Sequence, residues 1–301
     1  MELIIQQLFL LYLFIIAGWL IGKKNKAKAS HSEILSVLLV NFLLPCKVFR
    51  SFAVNFTGAY FKERYKYLFP SLILLAVLIA FAYFGARLMT KHSYQRKIYR
   101  YSLVVTNYAY LGYVLIEAVF GEAMLTDFVF FAIPFIVYTY TFGYALLTGG
   151  KNPWKRLLNP MTVSIALGMA FGLSGFSLPR LLFEAISMAS SCVGPMSMLL
   201  TGLTLSAFTL KDMILDPKAY LFSALRLLLI PSAVFLVCRL LRLDSVLPMM
   251  VMITCMPCGL NTVVFPKLVG EDCSLSARLT LISHIFALLT LMFWLWMIQR
   301  V

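Results

Sequence analysis

Two asparagines, Asn107 and Asn261, stand in apolar surroundings where few other groups can hold a ligand. An amide offers two N–H donors and one carbonyl acceptor, so it can bind an anionic group or satisfy unwound backbone. Asn261 lies in LPMMVMITCMPCGLNTVVFPKLVG (247–270), a run long and apolar enough to cross a bilayer but interrupted by Pro257, Gly259 and Asn261. Proline removes a backbone donor and clashes with the preceding turn, so a regular helix is expected to kink or break there. In hydrocarbon the freed backbone groups persist only where protein or a water-filled cavity satisfies them. A broken membrane helix is therefore a candidate binding site, above all when the other half of the chain holds a second one. NYAYLGYVLIEAVFG (107–121) supplies the second stretch and aligns with MPCGLNTVVFPKLVG (256–270), glycine on glycine; Asn107 and Gly112 are its local causes of unwinding. The structural alternative is that each amide only caps its own broken helix.

Further candidates are ionisable. Lys47 follows Pro45 and Cys46 in an apolar run. A lysine at membrane depth is a functional hypothesis by default, here the countercharge for a carboxylate substrate. Its alternative is snorkelling to the headgroups together with Arg50. Glu117 and His284 are candidates for proton coupling, against a surface position beside Glu122 and Asp127 for Glu117 and an interhelical hydrogen bond for His284. Arg226 lies within an apolar run and needs a partner, for which Glu184 is one choice. Asn41 is a candidate to face the cavity, while Pro45 and Pro195 read as kinks that make room for neighbouring helices. Cys255 and Cys258 form a C-x-x-C, but no second pair or nearby histidine completes a zinc site, so no metal is expected.

The elements that position these residues are membrane helices. Of 301 residues, 61% are hydrophobic and 13% charged, about half the charge of a soluble domain. Ten apolar segments run roughly over 3–22, 33–54, 66–89, 98–120, 127–148, 157–175, 182–208, 218–241, 246–269 and 276–298. They are too long and continuous for strands, so the expectation is an all-α integral membrane protein. The first reads as a retained span and not a removed signal peptide. The formal charge of +14 belongs to residues flanking these runs, and no nucleic-acid motif is present. With the N-terminus outside, sixteen Lys and Arg fall on the inner side, among them Lys23, Lys24, Lys26, Lys28, Lys151, Lys155, Arg156 and Lys267, against eight outside. The positive-inside rule thus places both termini on the non-cytoplasmic side of the cell membrane.

The halves repeat. Ala17-Gly18 match Leu167-Gly168, Asn41-Phe-Leu-Leu-Pro45 matches Ser191-Cys-Val-Gly-Pro195, and Gly121-Glu122 match Gly270-Glu271, at offsets of 150, 150 and 149. Five spans is an odd number, so a second copy (151–301) enters the bilayer opposite to the first (1–150). Inverted repeats of this kind build secondary transporters with a site near the midplane.

NFLLPCKVF (41–49), NYAYLGYVLIEAVFG (107–121), NPMTVSIALG (159–168), VGPMSMLLTGLTL (193–205) and MPCGLNTVVFPKLVG (256–270) together resemble the auxin efflux carrier family, in order and spacing, over essentially the whole chain. The resemblance implies ten helices in two inverted five-helix repeats, with the fourth and ninth broken and crossing. It further implies a substrate at the crossover, elevator-type alternating access and a homodimer. The first-repeat motif departs from the family pattern: Ala109 stands at a usual glycine and Val114 at a usual proline, so a less sharply broken first arm is expected.

The leading functional reading is a secondary active transporter of a small organic anion, auxin-, malate- or malonate-like, coupled to a proton or a sodium ion. Asn41, Lys47, Asn107, Gly112, Pro257, Gly259 and Asn261 are its candidate substrate-binding residues, and no cofactor is called for. A channel would need a carbonyl- or charge-lined filter, and no ring-forming motif is visible. A membrane sensor on the same fold is a further alternative, though it leaves the inverted halves without a purpose. An intramembrane enzyme would need a nucleophile–base pair or metal set, and none occurs at usable spacing.

Overall fold

The computed structural model describes residues 2–24, 29–150 and 152–300. Lys26, Lys28 and Lys151, which contribute to the charge bias above, lie outside the described residues. Among the described residues the chain is helical, without strands. Six continuous helices are long and apolar enough to cross a bilayer: α1 (Glu2–Lys24), α2 (Ser32–Asn55), α3 (Gly58–Met89), α9 (Arg180–Ser206), α10 (Pro217–Leu240) and α13 (Ser274–Ile298). A bent pair, α6 (Glu122–Phe131) and α7 (Ile133–Thr148), turns by 53° and brings the number to seven if it makes one crossing. The remaining segments are shorter: α4 (Ser93–Val104), α5 (Tyr108–Phe120), α8 (Pro160–Ser174), α11 (Leu247–Cys255) and α12 (Asn261–Leu268). The apolar segments at 98–120 and 246–269 are thus not single helices; each is divided in two.

Local sequence explains the boundaries. Asn159 caps α8, its side chain accepting from the N–H groups of Met161 and Thr162, and Pro160 takes the first helical position, where no N–H is needed. Gly175 ends the same helix at φ +70, a conformation that costs glycine nothing. Proline also marks the π-helical turns within α2 and α10. Leu39–Leu43 precedes Pro45, and Leu225–Leu229 precedes Pro231. Because Pro231 has no N–H, it cannot bond the carbonyl of Leu227 four residues earlier. Trp294 of α13 donates its indole N–H to that carbonyl at 2.8 Å. Pro195 follows a one-residue irregularity at Cys192 within α9.

The helices sort into two bundles. In the first, α1 lies along α9, and α8 and α9 pack on α2; in the second, α3–α7 pack with α10–α13. Glycines set the closest approaches of the first bundle. A β-carbon on Gly202 of α9 would lie 2.0 Å from the carbonyl oxygen of Ile15, and one on Gly18 of α1 would lie 2.3 Å from that of Leu199. Gly168 and Gly172 of α8 face the α2 backbone at Phe49, Phe52 and Phe56 in the same way. The Gly168-x-x-x-Gly172 motif is therefore an internal packing surface, as small residues in membrane helices commonly are.

Basic connections gather at one end of the molecule. There Lys23 donates to the Phe208 carbonyl, Lys218 to that of Met89 and Lys267 to Ser32, while Arg278 pairs with Asp216.

Candidate functional site

Two helix ends meet near the centre of the second bundle. α4 stops at Val104 and α11 at Cys255, and the residues after them run past each other, forming an isolated antiparallel bridge between Thr106 and Cys258. The Asn107 N–H donates to the Pro257 carbonyl at 2.8 Å. Thr106 Oγ1 donates to the Ile253 carbonyl in the last turn of α11 at 2.9 Å, and the Cys258 N–H donates to Ser283 Oγ of α13 at 3.0 Å. Arg226 of α10 donates through Nη1 to the Leu103 carbonyl in the last turn of α4 at 2.9 Å. Protein groups thus satisfy the backbone that the breaks set free, as an interruption at membrane depth requires. Gly259 permits the contact: a β-carbon there would sit 2.9 Å from the Thr106 carbonyl oxygen.

A cavity of about 580 Å³ lies between the two bundles. Ser36, Val40 and Asn41 of α2, Pro160 of α8 and Thr204 of α9 form its wall on one side; Tyr140 and Tyr144 of α7 and Asn261, Val263, Val264 and Phe265 of α12 form the other. Its mouth lies at the basic end and carries Lys155, Arg156 and Lys267 against one acid, Glu33. Arg156 rests on the Tyr144 ring, 3.6 Å from the centroid. At depth, the Asn261 carbonyl oxygen accepts from the Tyr110 hydroxyl at 3.4 Å, and its NH₂ group is the donor side, turned toward the Tyr140 hydroxyl. Asn261 and Tyr140 also border a void of about 10 Å³ that reaches Thr106 and Gly259. They join the cavity to the meeting point of the two breaks. Asn41 and Tyr140 both stand in π-helical turns, Leu39–Leu43 and Thr139–Gly143. Such turns recur at functional sites because the extra residue re-aims a side chain.

The family model described as membrane transport protein matches residues 3–152 and, a second time, residues 144–295. The chain belongs to this family, that of the auxin efflux carriers. A protein of Methanocaldococcus jannaschii described as an uncharacterized transporter is 24% identical over 286 residues, covering 90% of this chain and 91% of that one.

Of the residues singled out in the transporter sequence, Asn41 and Asn261 line the cavity and Gly259 lines the narrow void behind it. Asn107, Gly112, Pro257 and Lys47 border neither. The two aligned asparagines therefore occupy different surroundings. Asn107 turns to α13, where its Nδ2 lies 3.0 Å from His284 Nε2. His284 Nδ1 lies 2.7 Å from the Thr280 carbonyl, so Nδ1 carries the proton and Nε2 of the neutral ring accepts from Asn107. Gly112 is not the cause of unwinding. It sits within the π-helical turn Tyr108–Gly112, donating to the Asn107 carbonyl at 3.1 Å, and the break falls earlier, at residues 105–107. Glu184 bonds Arg180 at 2.8 Å and is not the partner of Arg226. Cys255 and Cys258 are buried free thiols. Tyr110, Tyr140 and Arg156 were not singled out in the sequence, where tyrosines and flanking arginines are too common to stand apart.

Lys47 reaches Glu117 of α5, forming an ion pair that leaves the lysine 3% and the glutamate 29% exposed. Arg50 bonds Glu122 at 3.0 Å and lies 3.6 Å from Glu117. Ser51 and Asn55 both bond Thr126 of α6. All these groups link α2 of the first bundle to α5 and α6 of the second. Lys47→Met is expected to destabilise the protein by leaving the Glu117 carboxylate short of its partner. Adding Glu117→Gln should recover part of the loss, with a coupling energy of about 2 kcal/mol for a charge-assisted bond. Thermal unfolding of the two single variants and the double variant measures this, and strictly additive losses would deny the pair any energetic link.

Proposed function

We propose that the protein is a secondary active transporter of a small organic anion, a carboxylate of auxin-, malate- or malonate-like size, that works by elevator-type alternating access. The observation that carries this reading is the cavity between the bundles, with a basic mouth and the Asn261 amide at its depth. Three cations around one acid raise the local concentration of an anion. The amide donors and the positive end of α12, which begins at Asn261, suit a carboxylate. Tyr140, Tyr144 and Phe265 offer an apolar wall to the rest of such a molecule.

Alternating access needs one end closed while the other is open. The cavity opens at the basic end, and the Lys47–Glu117 and Arg50–Glu122 pairs join the same two bundles through a different set of contacts. Movement of the second bundle along the first would break those pairs and carry Asn261 with α12. The double match to the family model supports ten helices in two inverted repeats, 1–150 and 151–301, and the antiparallel bridge at Thr106 and Cys258 supports a crossing of the fourth and ninth. By the positive-inside rule the cavity then faces the cytoplasm, with both termini outside the cell membrane. A homodimer is part of the same reading, and substrate and coupling ion pass through each protomer. Asn107, Pro257 and Gly259 shape the crossover, and Asn41 and Asn261 meet the substrate. Glu117 and His284 remain the candidates for carrying a coupling proton.

The test is uptake into proteoliposomes of labelled mono- and dicarboxylates, with pH and sodium gradients imposed in turn. Saturable accumulation of at least one carboxylate is expected. No uptake of any of them over protein-free vesicles, with protein that remains folded, would overturn the assignment.

A further inference from the structure

Arg226 is fully buried at the membrane-depth end of α4, and no carboxylate pairs with it among the described residues. An isolated charge in that setting is costly. Its single bond runs from Nη1 to the Leu103 carbonyl, and its Nε and Nη2 have no partner. The π-helical turn Leu225–Leu229 that carries Arg226 also packs against α11, which ends at Cys255. The guanidinium therefore stands where two interrupted helices present their carbonyl ends. Each such end carries roughly half a negative charge. In transporters with broken helices, carbonyls at such ends are what coordinate a coupling cation.

We propose that Arg226 is a built-in cation, a positioning residue that takes the place of a coupling sodium ion at the crossover. Two of the carbonyl oxygens at these ends already have a donor: Arg226 bonds that of Leu103 and Thr106 that of Ile253. Asn107 Oδ1 is a buried acceptor without a partner, but a metal cation there would join a resident positive charge with no carboxylate to offset either. Arginine suits the role because it stays protonated at any physiological pH and its planar fork is weakly hydrated. The consequence is a crossover held in shape without sodium. This rests on the transporter reading for its meaning but not for its test, which reads cation binding directly and is independent of any uptake result.

The experiment is thermal unfolding of the full chain in detergent, with sodium, guanidinium or N-methylglucamine chloride at matched ionic strength and guanidinium held to about 20 mM, far below its denaturing range. The wild type is expected to melt at the same temperature in all three. Arg226→Ala should melt lower and regain about 5 °C, saturably, with guanidinium over N-methylglucamine, as a ligand that binds only the folded state requires. Arg226→Gln keeps a donor for Leu103 and removes only the charge, which covers the case of an alanine variant that does not fold. It should gain the same cation response, and Arg226→Lys should not. Stabilisation of the wild type by sodium would overturn the proposal, as would a neutral variant that folds and is indifferent to all three cations.

Discussion

Gly202→Ala is expected to cost the protein about 3 kcal/mol or more, enough to lower its melting temperature by about 6 °C or more and to reduce the yield of monodisperse material. The added β-carbon would fall 2.0 Å from the Ile15 carbonyl oxygen, 2.6 Å from the Trp19 nitrogen and 3.0 Å from the Gly18 carbonyl carbon. These are backbone atoms of α1, so no side-chain rotation relieves the overlap; the two helices must separate along their contact. Overpacking against movable side chains costs about 1–3 kcal/mol, and a backbone obstacle belongs at the upper end or beyond. Gly58→Ala is the matched control. It stands in α3 with open space around the new carbon, and the change should leave the melting temperature level or slightly raise it. Equal behaviour of the two variants would show that α1 and α9 are not packed as described.

Asn261→Ala is expected to abolish stabilisation by a saturating carboxylate substrate while leaving expression near normal. The amide is 8% exposed and lines both the cavity and the void leading to the crossover. A hydrogen bond to a charged group contributes about 1.5–3 kcal/mol, which corresponds to an affinity loss of roughly 10- to 100-fold. The fold loses less, because the amide's bond to Tyr110 is long at 3.4 Å and the Tyr140 hydroxyl it also meets lines the cavity. Asn261→Asp should lose binding as well, since it sets a negative charge against the substrate's own. The measurement is the melting temperature with and without whichever carboxylate the uptake panel identifies. Unchanged stabilisation in the alanine variant would remove Asn261 from the binding site.

Much of the architecture was legible in the chain because the bilayer imposes simple rules on it. Hydrophobic length marks helices, and Pro257, Gly259 and Asn261 marked the break that the structure places between Cys255 and Asn261. The first break was harder to read. Val114 in place of proline suggested a gentler interruption, yet residues 105–107 are not helical. The cause is not local: Asn107 N–H finds the Pro257 carbonyl and Thr106 the Ile253 carbonyl, both some 150 residues away. Val114 instead packs against α9, its Cγ1 lying 2.9 Å from where a β-carbon on Gly194 would be. Ion pairing was equally opaque. Lys47 had a substrate or headgroups as its expected partners and has Glu117; Arg226 had Glu184 and has a backbone carbonyl.

The amino-acid sequence by itself determined that this is a multi-spanning helical membrane protein, that it resembles the auxin efflux carriers and that a helix breaks near residue 257. Those properties follow from hydropathy, from motif order and from the missing N–H of a proline, all written locally in the chain. Only the tertiary structure decided that Asn261 faces a cavity while Asn107 faces His284, that Tyr140 and Arg156 line that cavity while Tyr110 bonds Asn261 behind it, and that a lone guanidinium holds the end of α4. A side chain's partner in a buried setting depends on which distant helix lies opposite, and glycines such as Gly202 and Gly259 set that through close backbone approach.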